Sequence, residues 1–538
     1  MKRPLPESPL VVSYGGGVDS TAILVEFARL HREDPDGGWR PDMIVHANVG
    51  DGNEHPLLYP ALDVMDEWLG EVGFPRITRV RYYSPTTRYQ SLLGNCLHND
   101  VLPSLAYGGH SCSLKWKIQG IDDFVWGVRG WEPAYSALAE GRKVVRVIGY
   151  DAGCADTRRF AKMDKQAEAG AARGEWSPWH NWYPLRDWGW TREECTRAIE
   201  GCLPLSDRLL ATIGQRCVRK SACWFCPAMK VAEVEDLARE CPDLALQAAA
   251  LEYRAETGKH GLTSVNGLGL GTGPKHPWDL ERTDGGKGRN WSWWRHLRHL
   301  GILPADWQAQ ARAAGYIPEG WNEYSERCRP IREDVLRLKA LVREEAERLP
   351  EEYRETALKG KEAAKLALDG IPACHYWSEA RHSLKGVEKR RKALLPPDWS
   401  CIPKPVPTPE VKARRKAAKA RWRAACSEAQ RIEAERIAQQ AEAPVDACVV
   451  EPELDADRWI VYDGSSRAYL FFDKTTPSPQ AAQRFLGLDA AAKAARAKLA
   501  ALPESILIRD PLGPRELMVW YDAETDDWPR PEEEENDA

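Results

Sequence analysis

Through the first 150 residues the apolar positions switch between two rhythms. Short β-branched runs at residues 10–14, 43–48, 77–81 and 144–149 alternate with helically spaced segments at 21–30, 57–69 and 118–125. Strands separated by helices predict crossover connections, which are right-handed and build a parallel sheet. The expected fold class is therefore α/β, a doubly wound parallel sheet, with ligands at the carboxyl ends of its strands. Those ends carry residues 15–20, 48–54 and 149–159.

Beyond residue 176 the pattern loosens into aromatic and cysteine-rich loops, with helices expected at 192–200 and 231–239 and a glycine-rich run at 267–273. We treat this as a cysteine-rich extension, giving a first domain over residues 1–300. Ile331, Val335, Leu338, Val342 and Leu349 then fall near one face of a helix, so 301–445 reads as a charged helical accessory region. Pro403, Pro405, Pro407 and Pro409 interrupt it as an extended spacer, because the residue before each proline is pushed away from the helical region. Strand-like runs on either side of Asp463, Gly464, Ser465 and Ser466 predict a hairpin that opens a small α+β module over 446–522. Residues 523–538 are dominated by acids and read as a disordered tail.

Composition changes the picture little. In 538 residues, 43% hydrophobic content is ample for a core, and 75 basic against 80 acidic residues leave no global field to recruit nucleic acid or membrane. No stretch approaches eighteen uninterrupted apolar residues, so the expectation is a cytoplasmic protein with no membrane partner. Fourteen cysteines spread over this length read as thiols or metal ligands rather than disulfides. The 23 tryptophans read mostly as core or interface anchors.

The sharpest chemical signal is Ser13-Tyr14-Gly15-Gly16-Gly17-Val18-Asp19-Ser20-Thr21, placed between a strand and an amphipathic helix. Glycines let backbone N–H groups close on phosphate oxygens, the following helix offers its positive end, and Ser20 and Thr21 add hydroxyls. Asp19 can cap the helix or orient a nucleotide. A glycine-rich turn before a helix is also often only a turn. No lysine occupies it, so it is not a Walker loop.

The segment resembles the Ser-Gly-Gly-x-Asp-Ser turn of the PP-loop adenine nucleotide alpha hydrolase superfamily, specifically its phosphoadenosine phosphosulfate reductase-like branch, many of whose members are phage-encoded. Gly16, Gly17, Asp19 and Ser20 match, whereas Gly15 stands where the family has its first serine. Further similarities follow in family order: Asn48-Val49-Gly50-Asp51-Gly52-Asn53-Glu54, Ser111-Cys112-Ser113-Leu114-Lys115-Trp116-Lys117, Gly149-Tyr150-Asp151 with Arg158 and Arg159, Tyr183-Pro184-Leu185-Arg186-Asp187-Trp188, and Cys223-Trp224-Phe225-Cys226-Pro227. They span roughly residues 8–300. The resemblance implies nucleotide contacts from Tyr14, Gly15, Gly16, Gly17, Asp19, Ser20, Thr21, Asn48, Gly149, Tyr150, Asp151, Arg158 and Arg159, with Asp19, Ser20 and Arg158 acting in the reaction. Arginines beside a helix start are also commonly solvated; a bidentate guanidinium nevertheless suits phosphate or sulfate.

Cys217, Cys223 and Cys226, with Cys112 far upstream, form the second constellation. Resemblance to adenylyl-sulfate reductases, some tRNA thiolation enzymes and DNA phosphorothioation sulfurtransferases implies that these four hold a [4Fe-4S] cluster. Structural Zn²⁺ uses the same ligands, and buried thiols also serve as plain small hydrophobes. Cys96, Cys154, Cys195, Cys202 and Cys241 have no ligand spacing and read as core or incidental thiols.

Lys412, Arg414, Arg415, Lys416, Lys419, Arg421 and Arg423 occur with no acid from 411 to 423. On a helix, 412, 416, 419 and 423 share a face, which is either solvated or a contact for nucleic acid.

The expected function is ATP cleavage between the α and β phosphates, releasing AMP and pyrophosphate with Mg²⁺ as counter-ion, to activate a substrate for sulfur transfer or a related modification, with nucleic acid a candidate acceptor and a sulfur donor or reductant protein a candidate partner. Reduction of an adenylyl sulfate is the alternative. Its Glu-Cys-Gly-x-His motif is absent, since Glu194-Cys195-Thr196 and Glu240-Cys241-Pro242 share only two residues with it. A non-catalytic protein that senses nucleotide or binds nucleic acid is the third reading.

Overall fold

The computed structural model describes residues 3–104, 111–153, 176–216, 223–261, 292–349 and 374–442, a few single positions between them, and the backbone of four strands near the C-terminus. Two compact units divide the chain, Met1–Ala429 and Gln430–Ala538.

The first unit is mixed α/β around a five-stranded, wholly parallel sheet in the order β3-β2-β1-β4-β5, formed by β1 (Leu10–Ser13), β2 (Met43–Asn48), β3 (Ile77–Arg81), β4 (Val144–Ile148) and β5 (Trp179–Trp182). β1 lies at the centre, with Val12 opposite Ile44 on one side and Val147 on the other. Side chains alternate across the sheet. Leu10, Val12, Ile44, Val145 and Val147 pack under α1 (Val18–Glu33), α2 (Leu58–Glu71) and the helices Arg192–Gly201 and Leu203–Ile213. Val11, Met43, Val45, Val80 and Val144 pack on the other face against Ile121, Val125, Trp126, Ala134, Tyr135 and Leu138. Both faces are covered, which is why β1, β2 and β4 read as largely apolar runs.

β2, β3 and α2 fall close to where the sequence places them. β5 is missed because Trp-His-Asn-Trp on a sheet edge is half-exposed and carries no β-branched signal. The helices Leu203–Ile213 and Pro242–Thr257 are missed for another reason: Pro204 and Pro242 sit in their first turns, where proline is tolerated, rather than ending the preceding helix's successor. The helical run from Ser111 to Val125 contains a π-helical segment, Leu114–Ile118.

A second core lies beside the sheet. Trp116, Trp224, Trp293, Trp307 and Trp321 are its largest fully buried side chains, packed with Leu92, Cys96, Phe225, Val234, Leu251 and Cys328. Residues beyond 300 thus share a core with residues near 100 and 225. Buried ions reinforce the join. The Arg254 guanidinium donates to both carboxylate oxygens of Asp398 at 3.0 Å and lies over the Trp321 ring. Lys259 donates to the carbonyls of His98 (3.1 Å) and Leu394 (2.8 Å). Such groups are tolerated inside because each charge is paired or hydrogen-bonded.

The helix Pro409–Glu442 follows an exposed segment, 403–408, that is neither helix nor strand. Trp422, Ala425, Cys426 and Ala429 turn toward the sheet-face core, leaving all seven cations of 412–423 exposed. The second unit contains a four-stranded antiparallel sheet, β6 (Arg458–Asp463), β7 (Ala468–Thr476), β8 (Glu504–Arg509) and β9 (Glu516–Leu517), and the expected hairpin is the β6–β7 pair. Among the described residues no helix is long and apolar enough to cross a membrane.

Two histidines make this second core pH-sensitive. Burial, then neighbouring cations, lowers His98 to about 4 and His260 to about 3, against 6.5 for a free imidazole. As pH falls below 6.5 the unfolded chain takes up protons that the fold refuses, so stability is lost. Asp100, raised to about 6 chiefly by burial, works in the opposite sense between 3.8 and 6, but it is one group against two. The urea midpoint should therefore drop between pH 7 and pH 5, and His98→Gln with His260→Gln should flatten that slope. A midpoint that rises on acidification would mean that Asp100 governs.

Candidate functional site

The glycine turn links the end of the central strand to α1, and its side chains face inward. Tyr14 is buried and its hydroxyl lies 3.0 Å from Thr21 Oγ1. Ser20 Oγ donates to the Gly17 carbonyl at 3.2 Å. Burial pushes the Tyr14 phenol well above its ordinary range, so it stays neutral. These hydroxyls hold the turn's shape. What the turn offers outward is backbone: the first helical bond runs from Thr21 N to Gly17 O (3.0 Å), so the N–H groups of Val18, Asp19 and Ser20 lie ahead of the helix's ladder. Gly17 caps the helix without a side chain. A helix start of this kind attracts anions.

Two other strand ends close on it. Gly149 follows β4, and a Cβ there would come within 2.9 Å of Ser20 N, so only glycine lets β4 approach the start of α1 this closely. Asp151 follows, its Oδ1 accepting from Gly153 N at 2.9 Å. The stacked rings of Tyr150 and Tyr183 lie at the ends of β4 and β5. Asn48 ends β2, but its amide oxygen accepts from Gly50 N at 2.7 Å and shapes its own turn. Arg158 and Arg159 lie outside the described residues.

Arg192, which no sequence motif marks, stands between the two acids. Its Nη1 is 3.1 Å from Asp19 Oδ1 and its Nε 3.6 Å from Asp151 Oδ2. It opens the helix Arg192–Gly201, whose start is fixed by a capping box in which Thr191 N donates to Glu194 Oε2 at 2.8 Å. Cys195, one turn further on, is buried, and its thiol is pushed up to about 12 by burial and then by the charges of Asp19 and Asp151.

The cysteine-rich segment docks on the loop after β2. Glu54 pairs with Cys223 as an isolated antiparallel bridge, and Trp224 Nε1 donates to the Gly52 carbonyl at 2.7 Å. The same loop seats the helix Leu92–Asn99 through Leu92 N to Val49 O (2.8 Å) and Leu93 N to Asn53 Oδ1 (2.7 Å). Cys96, Cys112, Cys223 and Cys226 consequently share one apolar cluster. Burial raises the Cys96 thiol, with Cys223 and Cys112 adding to it. Burial likewise raises Cys223, partly offset by Lys117. Cys96 has no ligand spacing in the sequence, where it reads as a core or incidental thiol that stands out with Cys154, because its approach to the others depends on the shared loop. Cys217 lies outside the described residues; among the described ones, no three His, Cys, Asp or Glu side chains form a group that could hold a metal ion.

His46 and Glu54 are nearly fully buried beneath this loop, with Nε2 and Oε2 at 3.4 Å and Nδ1 3.0 Å from the Tyr14 carbonyl. This pair ties the glycine turn to the cysteine segment.

The basic helix reaches the same edge. Arg415 donates to the Tyr83 carbonyl at 3.0 Å, just past the carboxyl end of β3. Arg421 meets Glu132 at 3.2 Å and lies over the Tyr135 ring.

No family model, no curated protein and no solved structure matches this chain.

Gly16 tests whether the turn is built as described. It has a φ of +73°, and a Cβ there would run into Leu58 Cδ1; Gly52 has a φ of +71° with open space around it. Gly16→Ala should cost about 1–3 kcal/mol for backbone conformation alone, with the displacement of Leu58 in addition. Gly52→Ala should cost only the backbone part. Denaturant unfolding of the two variants measures the difference, and equal losses would mean that α2 does not press on the turn.

Proposed function

We propose that this chain is a PP-loop-type enzyme, phosphoadenosine phosphosulfate reductase-like, that cleaves ATP to AMP and pyrophosphate to activate a substrate for sulfur transfer or a related modification. One observation carries the reading: a glycine turn, a helix start with no side-chain cap and the carboxylates of Asp19 and Asp151 converge at the carboxyl edge of a parallel sheet. That edge is where open α/β sheets bind ligands. The N–H groups of residues 18–20 would hold phosphate oxygens as charge develops on them, and Gly149 keeps the neighbouring strand close without filling the space.

The acids also suit a counter-ion. Arg192 already spans Asp19 and Asp151, so Mg²⁺ would be held chiefly by the substrate phosphates with one of these carboxylates as its protein ligand, a set that suits its preference for one or two carboxylates together with phosphate. Bound there, Mg²⁺ would neutralise the pyrophosphate leaving group. The proposed [4Fe-4S] cluster, with Zn²⁺ as its alternative, would take Cys112, Cys217, Cys223 and Cys226; Cys112, Cys223 and Cys226 border one apolar cluster but form no three-ligand group as they stand, so binding would have to draw them together. Nucleic acid is the acceptor this surface favours, because Lys412, Arg414, Arg415, Lys416, Lys419, Arg421 and Arg423 are exposed and Arg415 brings the helix to the edge that carries the turn.

The test is release of pyrophosphate and AMP from Mg²⁺-ATP, with and without single-stranded DNA or RNA. The Asp19→Ala variant, which removes a carboxylate proposed to face the metal-bound phosphates while leaving the backbone N–H groups in place, should release both products more slowly. Sulfite release from an adenylyl sulfate supplied with a dithiol reductant, with ATP inert, would favour the reductase instead; ATP binding without any product would favour a sensor.

Anaerobic purification tests the thiols separately. Iron and a broad visible band should accompany the parent protein and fall when Cys112, Cys217, Cys223 or Cys226 is changed to Ser, but not in Cys328→Ser, because a serine hydroxyl does not replace a thiolate ligand. Stoichiometric zinc with no visible band would assign the site a structural role.

A further inference from the structure

The inward-facing hydroxyls leave the glycine turn with an electrostatic problem. Asp19 and Asp151 flank it, with side chains only 15% and 14% exposed, so an incoming oxyanion meets two carboxylates beside the helix start. Among the described residues, Arg192 is the cation paired with both. Its backbone is held rigidly. The capping box of Thr191 and Glu194 fixes the first turn, Cys195 and Ile199 bury the helix in the core beneath α1, and Ala152 N donates to Trp190 O at 2.8 Å, joining the Asp151 turn to the residues just before Arg192. The guanidinium is nevertheless about half exposed. A fixed stem with an accessible head suits a residue that must meet a ligand without refolding its surroundings.

The geometry points to Arg192 as a ligand-binding residue of this site: it engages the phosphate or sulfate end of the nucleotide at the glycine turn while screening it from Asp19 and Asp151. This rests on the nucleotide reading above. Nη1 and Nε face the two carboxylates, which leaves the Nη2 donors for an oxyanion, and a guanidinium's planar fork can serve carboxylate and phosphate together. Lysine, a single point of charge, could not bridge both acids and the ligand in this way.

Calorimetry with ATP and with adenosine separates the possibilities, because only ATP carries the anion. In Arg192→Gln, ATP should bind roughly ten- to hundredfold more weakly, the scale of a lost charged hydrogen bond. Adenosine affinity should not change, and the thermal midpoint should fall because two largely buried carboxylates lose their counter-charge. Arg192→Lys should lose part of the ATP affinity and none for adenosine, and it serves alone if the Gln variant does not fold. Equal losses for ATP and adenosine would reduce Arg192 to a structural tie between two turns and overturn the inference, as would unchanged ATP binding, which leaves the nucleotide reading standing. A parent protein that binds neither compound overturns both.

Discussion

Parallel pairing of the central strand with both neighbours is the constraint from which the rest of the first unit follows. β1 bonds to β2 on one side and β4 on the other in the same direction, so every connection must cross from one end of the sheet to the other. The crossing segments cover both faces, and the strand ends are left together at a single edge. Residues 14–17, 48–54 and 149–153, far apart in the chain, become neighbours for this reason alone. Gly149 is the clearest consequence, since β4 and the start of α1 come close enough that a side chain there would press on Ser20 N.

The loop after β2 extends that edge into the second core. It bonds to the helix Leu92–Asn99 on one side and to Cys223 and Trp224 on the other, so one short segment sets the separation between the glycine turn and a set of thiols. Beneath it the buried His46–Glu54 pair connects the two. The buried ions of Arg254, Asp398 and Lys259 play a comparable part further out, fastening residues beyond 300 to the same core.

Charge at the edge is arranged in opposition. Carboxylates lie next to the helix start, and cations arrive from two other elements, the helix that begins at Arg192 and the basic helix that touches Tyr83. The basic helix uses one face, with Trp422, Cys426 and Ala429, to pack on the sheet domain, which is why its cations remain at the surface.

The amino-acid sequence by itself determined the alternation of strands and helices, the glycine turn before α1, the thiol-bearing segment and the basic helix, because each is written in local periodicity, spacing or composition. β2 was legible to the residue as an apolar run buried on both faces, and β3, although an edge strand, through its β-branched Ile77, Thr78 and Val80. What only the tertiary structure decided are meetings between distant segments. β5 was hidden by the polar character of a sheet edge, and two helices by prolines in their first turns. Tyr14 and Thr21, legible as candidate ligand groups, turn out to bond to each other, an outcome set by how tightly the turn is buried. Cys96 joins the other thiols only through a shared loop. Arg192 meets Asp19 and Asp151 only because its helix packs beneath α1. No local pattern encodes such contacts: they arise from long-range packing, and an arginine at the start of a helix has the same sequence signature whether it faces water or two carboxylates.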